Sequence, residues 1–264
     1  EAQIPQAATK EEIENAPKAE PEKGFTSIII PAYFNSYPVF HWTGNCIGSI
    51  REHTDKYNTS YEIILVINGL TDIKFDNLQQ TLTDKVIQNE ENKGYAYAVN
   101  QGIRVAKGEY IAIVNNDVQV FNHWLEDMQS CLNQVIQLDL VMATPMYGKP
   151  FARAVEARDL RNKTIIEGDP LEENLKKSLS DFKDFSCVLT RKQLFSELGT
   201  FDEDFFMYGE DLDFFRRMDM KGKKYASTKR VNIHHVIGAT SSGEGETPSI
   251  MDQSREKLKA KWGY

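Results

Sequence analysis

Between Asp202 and Asp213 the chain reads Asp-Glu-Asp-Phe-Phe-Met-Tyr-Gly-Glu-Asp-Leu-Asp, six carboxylates around an aromatic patch, followed at once by Phe214-Phe215-Arg216-Arg217. A Phe-Phe-Met-Tyr stretch favours burial. Glu210, Asp211 and Asp213 are therefore expected at the edge of something packed, where a carboxylate is held in place and its basicity tuned. That is the setting for general acid–base chemistry. The bland reading of the same residues is a helix N-terminus after Gly209, where acids in a first turn favour the helix dipole and ask for no chemistry. Asp213 and Arg217 fit a helix-face ion pair.

The elements that must position these groups alternate between strand and helix from Phe25 onward. Ser27 to Ile30 is expected as a short buried strand ended by Pro31, Val39 to Tyr57 as a helix with Trp42, Cys46, Ile47 and Ile50 on one side, and Tyr61 to Ile67 as an apolar strand ended by Asn68-Gly69. Val86 to Gln88 reads as a third strand, Tyr95 to Ala106 as a helix stopped by Gly108, Tyr110 to Val114 as a fourth strand ended by Asn115-Asn116-Asp117, and Trp124 to Leu138 as a helix. Continuous apolar strands imply a sheet covered on both faces. The alternation implies an α/β, mostly parallel, doubly wound sheet whose ligand site lies at the carboxyl ends of the strands. Polar, turn-forming residues gather at those ends.

The second half is less regular. Residues 145 to 180 are polar and mixed, read as loop and short helix. Phe185 to Leu189 looks like a strand, Arg191 to Leu198 a helix closed by Gly199, Asp211 to Met220 a helix closed by Gly222, and Val231 to Ile233 a strand running into His234-His235. Gly238, Gly243 and Gly245, with Ser241 and Ser242, suggest a flexible lid.

Composition narrows the class. With 264 residues, 41% of them hydrophobic, the chain can form one sizeable domain. A net charge of −8 and a pI near 5.3 argue against a general nucleic-acid binder. The basic runs Lys221 to Lys224 and Lys257 to Lys261 are expected as solvated faces. No apolar run approaches the roughly 18 residues of a membrane span, so a soluble chain is expected. Cys46, Cys131 and Cys187 are odd in number and far apart with no Cys-x-x-Cys pair, which excludes a cysteine zinc site and fits a reducing, cytoplasmic compartment. Residues 1 to 24 carry Pro5, Pro17 and Pro21 among polar residues and read as a linker or tail, disordered or extended. The chain opens with Glu1 rather than Met and shows no signal-peptide pattern, consistent with a piece of something longer and with further domains outside it. A Gly-x-Gly-x-x-Gly after the first strand and a Gly-Lys-Ser/Thr loop are both missing, which disfavours a dinucleotide fold and a P-loop NTPase.

Taken in order, Ser-Ile-Ile-Ile-Pro-Ala-Tyr at 27 to 33, Glu-Ile-Ile-Leu-Val-Ile-Asn-Gly-Leu-Thr-Asp at 62 to 72, Asn-Lys-Gly-Tyr-Ala at 92 to 96, Asn100-x-Gly102, Ala106-Lys-Gly-Glu-Tyr-Ile and Asn115-Asn116-Asp117 resemble the nucleotide-sugar half of a family 2 glycosyltransferase of the GT-A fold. Gly199 to Asp213 and His235-Val-Ile-Gly-Ala-Thr resemble the acceptor half of its rhamnosyltransferase-like branch. The resemblance spans about 25 to 240 and implies a single GT-A domain over 25–264. Within it, 25–120 would bind the nucleotide sugar, 121–245 would carry the acceptor and catalytic half, and 246–264 would be a C-terminal segment.

The resemblance also implies roles. The family's Asp-x-Asp motif falls on Asn115-x-Asp117, with Asn in place of the first acid, leaving Asp117 as the motif's metal ligand. His235 matches the family's downstream metal-binding histidine, and His234 stands beside it as the alternative. A carboxylate, an imidazole, diphosphate oxygens and water suit Mn²⁺ or Mg²⁺. Asp211 falls on the catalytic base, and Glu210 on a partner of the acceptor or of that base. Pro31 and Tyr33 would shape the base and ribose pocket, Asn68 would meet the base edge, and Asn92, Gly94 and Asn115, with Asn116, would line the ribose and diphosphate. Ile67 stands where the family commonly has Asp, and Phe34 separates Tyr33 from Asn35, so the donor stays open among UDP-, dTDP- and GDP-sugars.

Three functions compete on these residues. The first is an inverting glycosyltransferase moving a sugar, hexosyl or rhamnosyl, from the nucleotide-diphosphate sugar to a glycan or other hydroxyl acceptor by metal-assisted single displacement. The second is a nucleotidyltransferase on the same fold, which would want a glycine- and arginine-rich phosphate loop where Pro31-Ala-Tyr-Phe-Asn stands. The third is a catalytically silent glycan- or partner-binding domain, which has no chemical reason to keep Asp117, Asp211 and His235 together.

Overall fold

The computed structural model describes residues 7–8, 20–55, 59–69, 82–134, 138–146, 179–180, 185–236 and 246–263. Most of the 145–180 stretch and the Gly/Ser segment at 238–245 lie outside the described residues.

The apolar runs do become strands. They are β1 (Ala7–Ala8), β2 (Glu22–Ala32), β3 (Tyr61–Asn68), β4 (Lys85–Asn89), β5 (Gly108–Val114), β6 (Val118–Gln119), β7 (Leu140–Met146), β8 (Leu179–Ser180), β9 (Cys187–Arg191) and β10 (Tyr225–His235). The helices are α1 (Tyr37–His53), α2 (Tyr95–Val105), α3 (Trp124–Gln134), α4 (Gln193–Leu198), α5 (Glu210–Met220) and α6 (Glu246–Trp262). One sheet runs β1-β4-β3-β2-β5-β9-β7-β10-β6, with β8 pairing β10. The pairs from β1 through β5 are parallel, as is β7 with β10, whereas β9 runs antiparallel between β5 and β7.

Strand alternation splits the core in two, as a doubly covered sheet requires. Ile28, Ile30, Ile63 and Leu65 face Ile47 and Ile50 of α1 and Trp124 and Met128 of α3. Ile29, Ile64 and Val66 face Val99 and Ile103 of α2 and Phe214, Phe215 and Met218 of α5. Phe201 stacks on Phe214 at 4.9 Å, and Phe185 meets both edge-on; of the Phe-Phe-Met-Tyr stretch expected to be buried, Phe205 is buried, Met207 and Tyr208 are half-buried and Phe206 is exposed. From β2 the chain steps outward through β3 and β4, then crosses back to place β5 on the other flank of β2. That reversal opens a crevice beyond the ends of β2 and β5, where α/β sheets bind ligands.

Several boundaries differ from the sequence reading. Helix α1 begins at Tyr37 and ends at His53, where Thr54 turns extended and returns its N–H to Ile50. Trp42 is only partly buried against the core. Strand β10 is much longer than Val231 to Ile233, because a register shift between Thr228 and Asn232 lets a polar stretch stay paired with β7. The expected tail is not wholly free of the sheet: Ala7–Ala8 pair with Val86 and Ile87, and β2 already starts at Glu22.

Candidate active site

A cleft of about 390 Å³ opens at the strand ends and is lined by Pro31, Tyr33, Asn68, Asn92, Asn115, Asn116, Asp117, Glu210, Asp211 and His235. These are the residues singled out in the sequence, apart from Gly94, which is not among the lining residues. Gly94 instead stands under the cleft with φ 93°, and a Cβ there would fall 2.5 Å from the Phe206 carbonyl oxygen. Glycine thus permits both the backbone conformation and the close approach.

Asp117 and His235 meet because β6 pairs antiparallel with the end of β10, setting His235 opposite Val118. The Val236 N–H donates to the Asp117 carbonyl at 3.1 Å, and His235 Nε2 lies 3.3 Å from Asp117 Oδ1. His234 pairs with Gln119, is 2% exposed and is not part of the cleft lining. No group of three or more His, Cys, Asp or Glu that could hold a metal occurs among the described residues. Asp117 and His235 nevertheless set one carboxylate beside one imidazole. That pair fits a hard divalent ion whose other positions come from diphosphate oxygens and water. Burial, reinforced by the nearby Asp117 charge, pushes the Cys46 thiol up.

On the opposite flank of the crevice, asparagines hold one another. Asn68 Nδ2 donates to Asn92 Oδ1 and to the Gly94 carbonyl, both at 2.9 Å, while its Oδ1 accepts from Asn89 Nδ2 at 2.9 Å and from the Lys93 N–H at 3.3 Å. Gln101 closes the set with two bonds to Asn89. The Asn68 amide is thus saturated by protein partners, and it shapes the loop carrying Asn92. Asn116 turns its amide to Thr43 Oγ1 at 2.9 Å, toward α1. Asn115 Oδ1 accepts from the Tyr95 hydroxyl at 3.0 Å, and its N–H donates to the Ser186 carbonyl.

Glu210 and Asp211 open α5 directly after two left-handed residues, Tyr208 at φ 64° and Gly209 at φ 92°. Glu210 is 8% exposed and its Oε2 has no hydrogen-bond partner among the described residues. Burial, then the adjoining Asp211 charge, pushes its carboxyl up to about 8. Asp211 is less buried, and its Oδ1 accepts the Leu212 N–H at 2.8 Å. Asp213, two residues on, points the other way. It is fully buried and held by Arg217 Nε at 2.9 Å, as the helix-face reading expects, and also by Lys261 Nζ at 2.7 Å and Trp262 Nε1 at 3.0 Å.

The sequence reading missed Tyr95, Ala98, Phe185, Ser186, Met207 and Tyr208 in the lining. Tyr95 and Tyr208 sit inside motifs already quoted, so adjacency was the available signal. Ser186 had none, because only the antiparallel insertion of β9 beside β5 brings it there.

Residues 27–199 match the model of glycosyl transferase family 2. The chain belongs to that family. Among its relatives, the glycosyltransferase GlyG of Streptococcus pneumoniae serotype 4 is 35% identical over 107 residues, covering 39% of this chain and 33% of that protein. The galactofuranosyl glycosyltransferase of Leishmania donovani is 29% identical over 199 residues, covering 60% of this chain and 46% of that protein. A crystal structure of GalNAc-T7 with UDP, GalNAc and Mn²⁺ superposes with a TM-score of 0.58 at 14% identity, over 88% of this chain and 47% of that one. The likeness shows the GT-A fold. The chain spans less than half the length of the curated relatives it matches. Glu210, Asp211 and His235 lie beyond the matched residues of this family 2 glycosyltransferase.

Proposed function

We propose that the domain is an inverting glycosyltransferase that moves a sugar from a nucleotide-diphosphate sugar to an acceptor hydroxyl. The observation that carries this reading is the convergence in one cleft of the Asp117–His235 pair and the Glu210–Asp211 pair, from three separate stretches of chain. Pro31, Tyr33, Asn92 and Asn115 line the nucleotide side, with Asn68, Gly94 and Asn116 setting their loops. Asp117 and His235 would hold Mn²⁺ or Mg²⁺, which when bound offsets the charge developing on the departing diphosphate.

Asp211 takes the acceptor proton as the hydroxyl oxygen bonds to the anomeric carbon, and the bond from that carbon to the phosphate oxygen breaks with its electron pair leaving on the nucleoside diphosphate. The α5 N-terminus favours an ionised Asp211. Glu210, held neutral by burial near pH 7, does not compete for the proton and offers an O–H to a sugar hydroxyl. One ionised carboxylate supports a single displacement, hence inversion. The donor is a UDP-, dTDP- or GDP-sugar, with UDP first to test because the GalNAc-T7 neighbour was crystallised with it. Three buried free cysteines fit a cytoplasmic setting. No helix among the described residues is long and apolar enough to cross a membrane.

The test is incubation with a panel of nucleotide sugars and glycan acceptors, with Mn²⁺, with Mg²⁺ and with chelator. Proton NMR reads the new linkage. The expected outcome is transfer with inverted configuration that stops in chelator and returns with either ion. Retained configuration would sink the single-displacement reading, and full activity in chelator the metal assignment.

A further inference from the structure

The segment from Asp202 to Asp213, which delivers Glu210 and Asp211, is fastened at several points by α6. One ammonium reaches both of its ends: Lys261 Nζ lies 2.6 Å from Asp202 Oδ2 and 2.7 Å from Asp213 Oδ1. Trp262 Nε1 donates to the same Asp213 oxygen at 3.0 Å. Between those ends, Lys257 donates to the Asp204 carbonyl and Ser254 Oγ to the Met207 carbonyl at 2.8 Å. Leu258 Cδ1 would lie 3.3 Å from a Cβ on Gly209. Positions 254, 257, 258, 261 and 262 form one helical face, so the whole face is directed at this segment.

The geometry gives that contact a task. Tyr208 is a bulky residue in the left-handed region, followed by Gly209 in the same region, a turn that persists only where its surroundings over-determine it. The surroundings here come from two sides. Helix α2 bonds Tyr95 N–H to the Phe206 carbonyl at 2.8 Å and brackets Phe201 with Asn100. Helix α6 supplies the rest. The bonds to Asp202 and Asp213 hold the Lys261 pKa above its ordinary value against the opposing effect of burial, so the ammonium stays charged.

We propose that α6 is a clamp fixing the strained turn ahead of Glu210 and Asp211, with Ser254, Lys261 and Trp262 as positioning residues for the proton-accepting carboxylate; this rests on the transfer reading above. The clamp lies outside the matched residues 27–199.

Lys261→Met, Lys261→Arg and Ser254→Ala in the full chain test it. Three readouts are needed: hydrogen exchange across 202–213, the titration of the Glu210 carboxyl by carbon-13 NMR assigned through its loss in Glu210→Gln, and turnover beside UDP affinity. Lys261→Met is expected to speed exchange in 202–213 and to move the Glu210 titration from about 8 toward 4.5. It should also lower kcat about tenfold to a hundredfold, the scale of a small misplacement of a reacting group, with UDP affinity within about twofold. Lys261→Arg should restore most of each change, and Ser254→Ala should move them in the same direction by less. Unchanged Glu210 titration and kcat in Lys261→Met overturn the clamp, as do losses of kcat, UDP binding and folded fraction in step. A wild type that transfers no sugar, with the Glu210 titration still moving in Lys261→Met, overturns the transfer reading and leaves the clamp standing.

Discussion

On the proposed nucleotide side of the cleft, the side chains of Asn68, Asn89, Asn92 and Asn115 are held by one another and by Gly94 and Tyr95 through bonds that span 20 to 26 residues, while the Asn115 backbone N–H reaches Ser186. On the proposed catalytic side, the segment around Glu210 and Asp211 is held by bonds that span 49 residues from Trp262 to Asp213, 59 from Lys261 to Asp202 and 101 from Asn100 to Phe201. The first side is an outcome of the parallel sheet: once β2, β3, β4 and β5 align, their loops are side by side and small amides can knit them. The second side has no such frame, and its turn carries two successive left-handed residues. A rigid scaffold on one flank and a strained, remotely braced segment on the other would suit the proposed division, with donor binding on one side and proton chemistry on the other.

Asp211→Asn breaks the comparison most sharply. It keeps the size and removes the proton acceptor, so turnover should fall by roughly two to four orders of magnitude while UDP affinity stays near wild type. Steady-state kinetics and a binding titration separate the two. Near-normal turnover would return the acidic run to helix capping.

Glu210→Gln comes next. The Glu210 carboxyl is raised from 4.5 to about 8 in the folded protein, so between those values the folded state holds a proton that the unfolded chain has released. Stability therefore falls as pH rises through that window, and the full cost is present above it. At about 1.4 kcal/mol per pKa unit, the variant should gain a few kcal/mol over wild type at pH 9 and almost nothing at pH 4. Thermal melts at pH 4, 7 and 9 check it, and a pH-independent difference would assign Glu210 an ordinary carboxyl.

Asn68→Ala probes the other flank and should act more gently. It leaves the amides of Asn89 and Asn92 short of a partner, at about 1–3 kcal/mol for each buried group left unsatisfied. The expected result is a urea midpoint lowered by about 2 kcal/mol of stability with weaker UDP binding, and kcat at saturating donor close to wild type. A kcat loss matching that of Asp211→Asn would erase the division between the two flanks.

Much of the nucleotide side was legible in the sequence because each strand announced itself by an unbroken apolar run and each loop by the polar residues that ended it. Ile63 to Ile67 ending at Asn68, and Tyr110 to Val114 ending at Asn115, are cases where local pattern and site coincide. Legibility failed where a residue's partner is set by docking. Lys257 and Lys261 read as a solvated face, yet both are bonded to the 202–213 segment, while Lys259 is exposed. A lysine stem presents the same pattern in either setting.

By itself, then, the sequence determined the doubly covered sheet, the polar loops at its strand ends and a packed edge for Glu210 and Asp213, because these follow from periodicity and the cost of exposing apolar surface. The tertiary structure settled between the two histidines in placing His235 rather than His234 against Asp117, and it alone decided that Glu210 is buried within the cleft and that α6 braces the turn before Asp211. Each depends on which distant element packs against which: β6 on the end of β10, and α6 on the 202–213 segment. Such pairings are settled by long-range burial and charge compensation, and local sequence period carries no record of them.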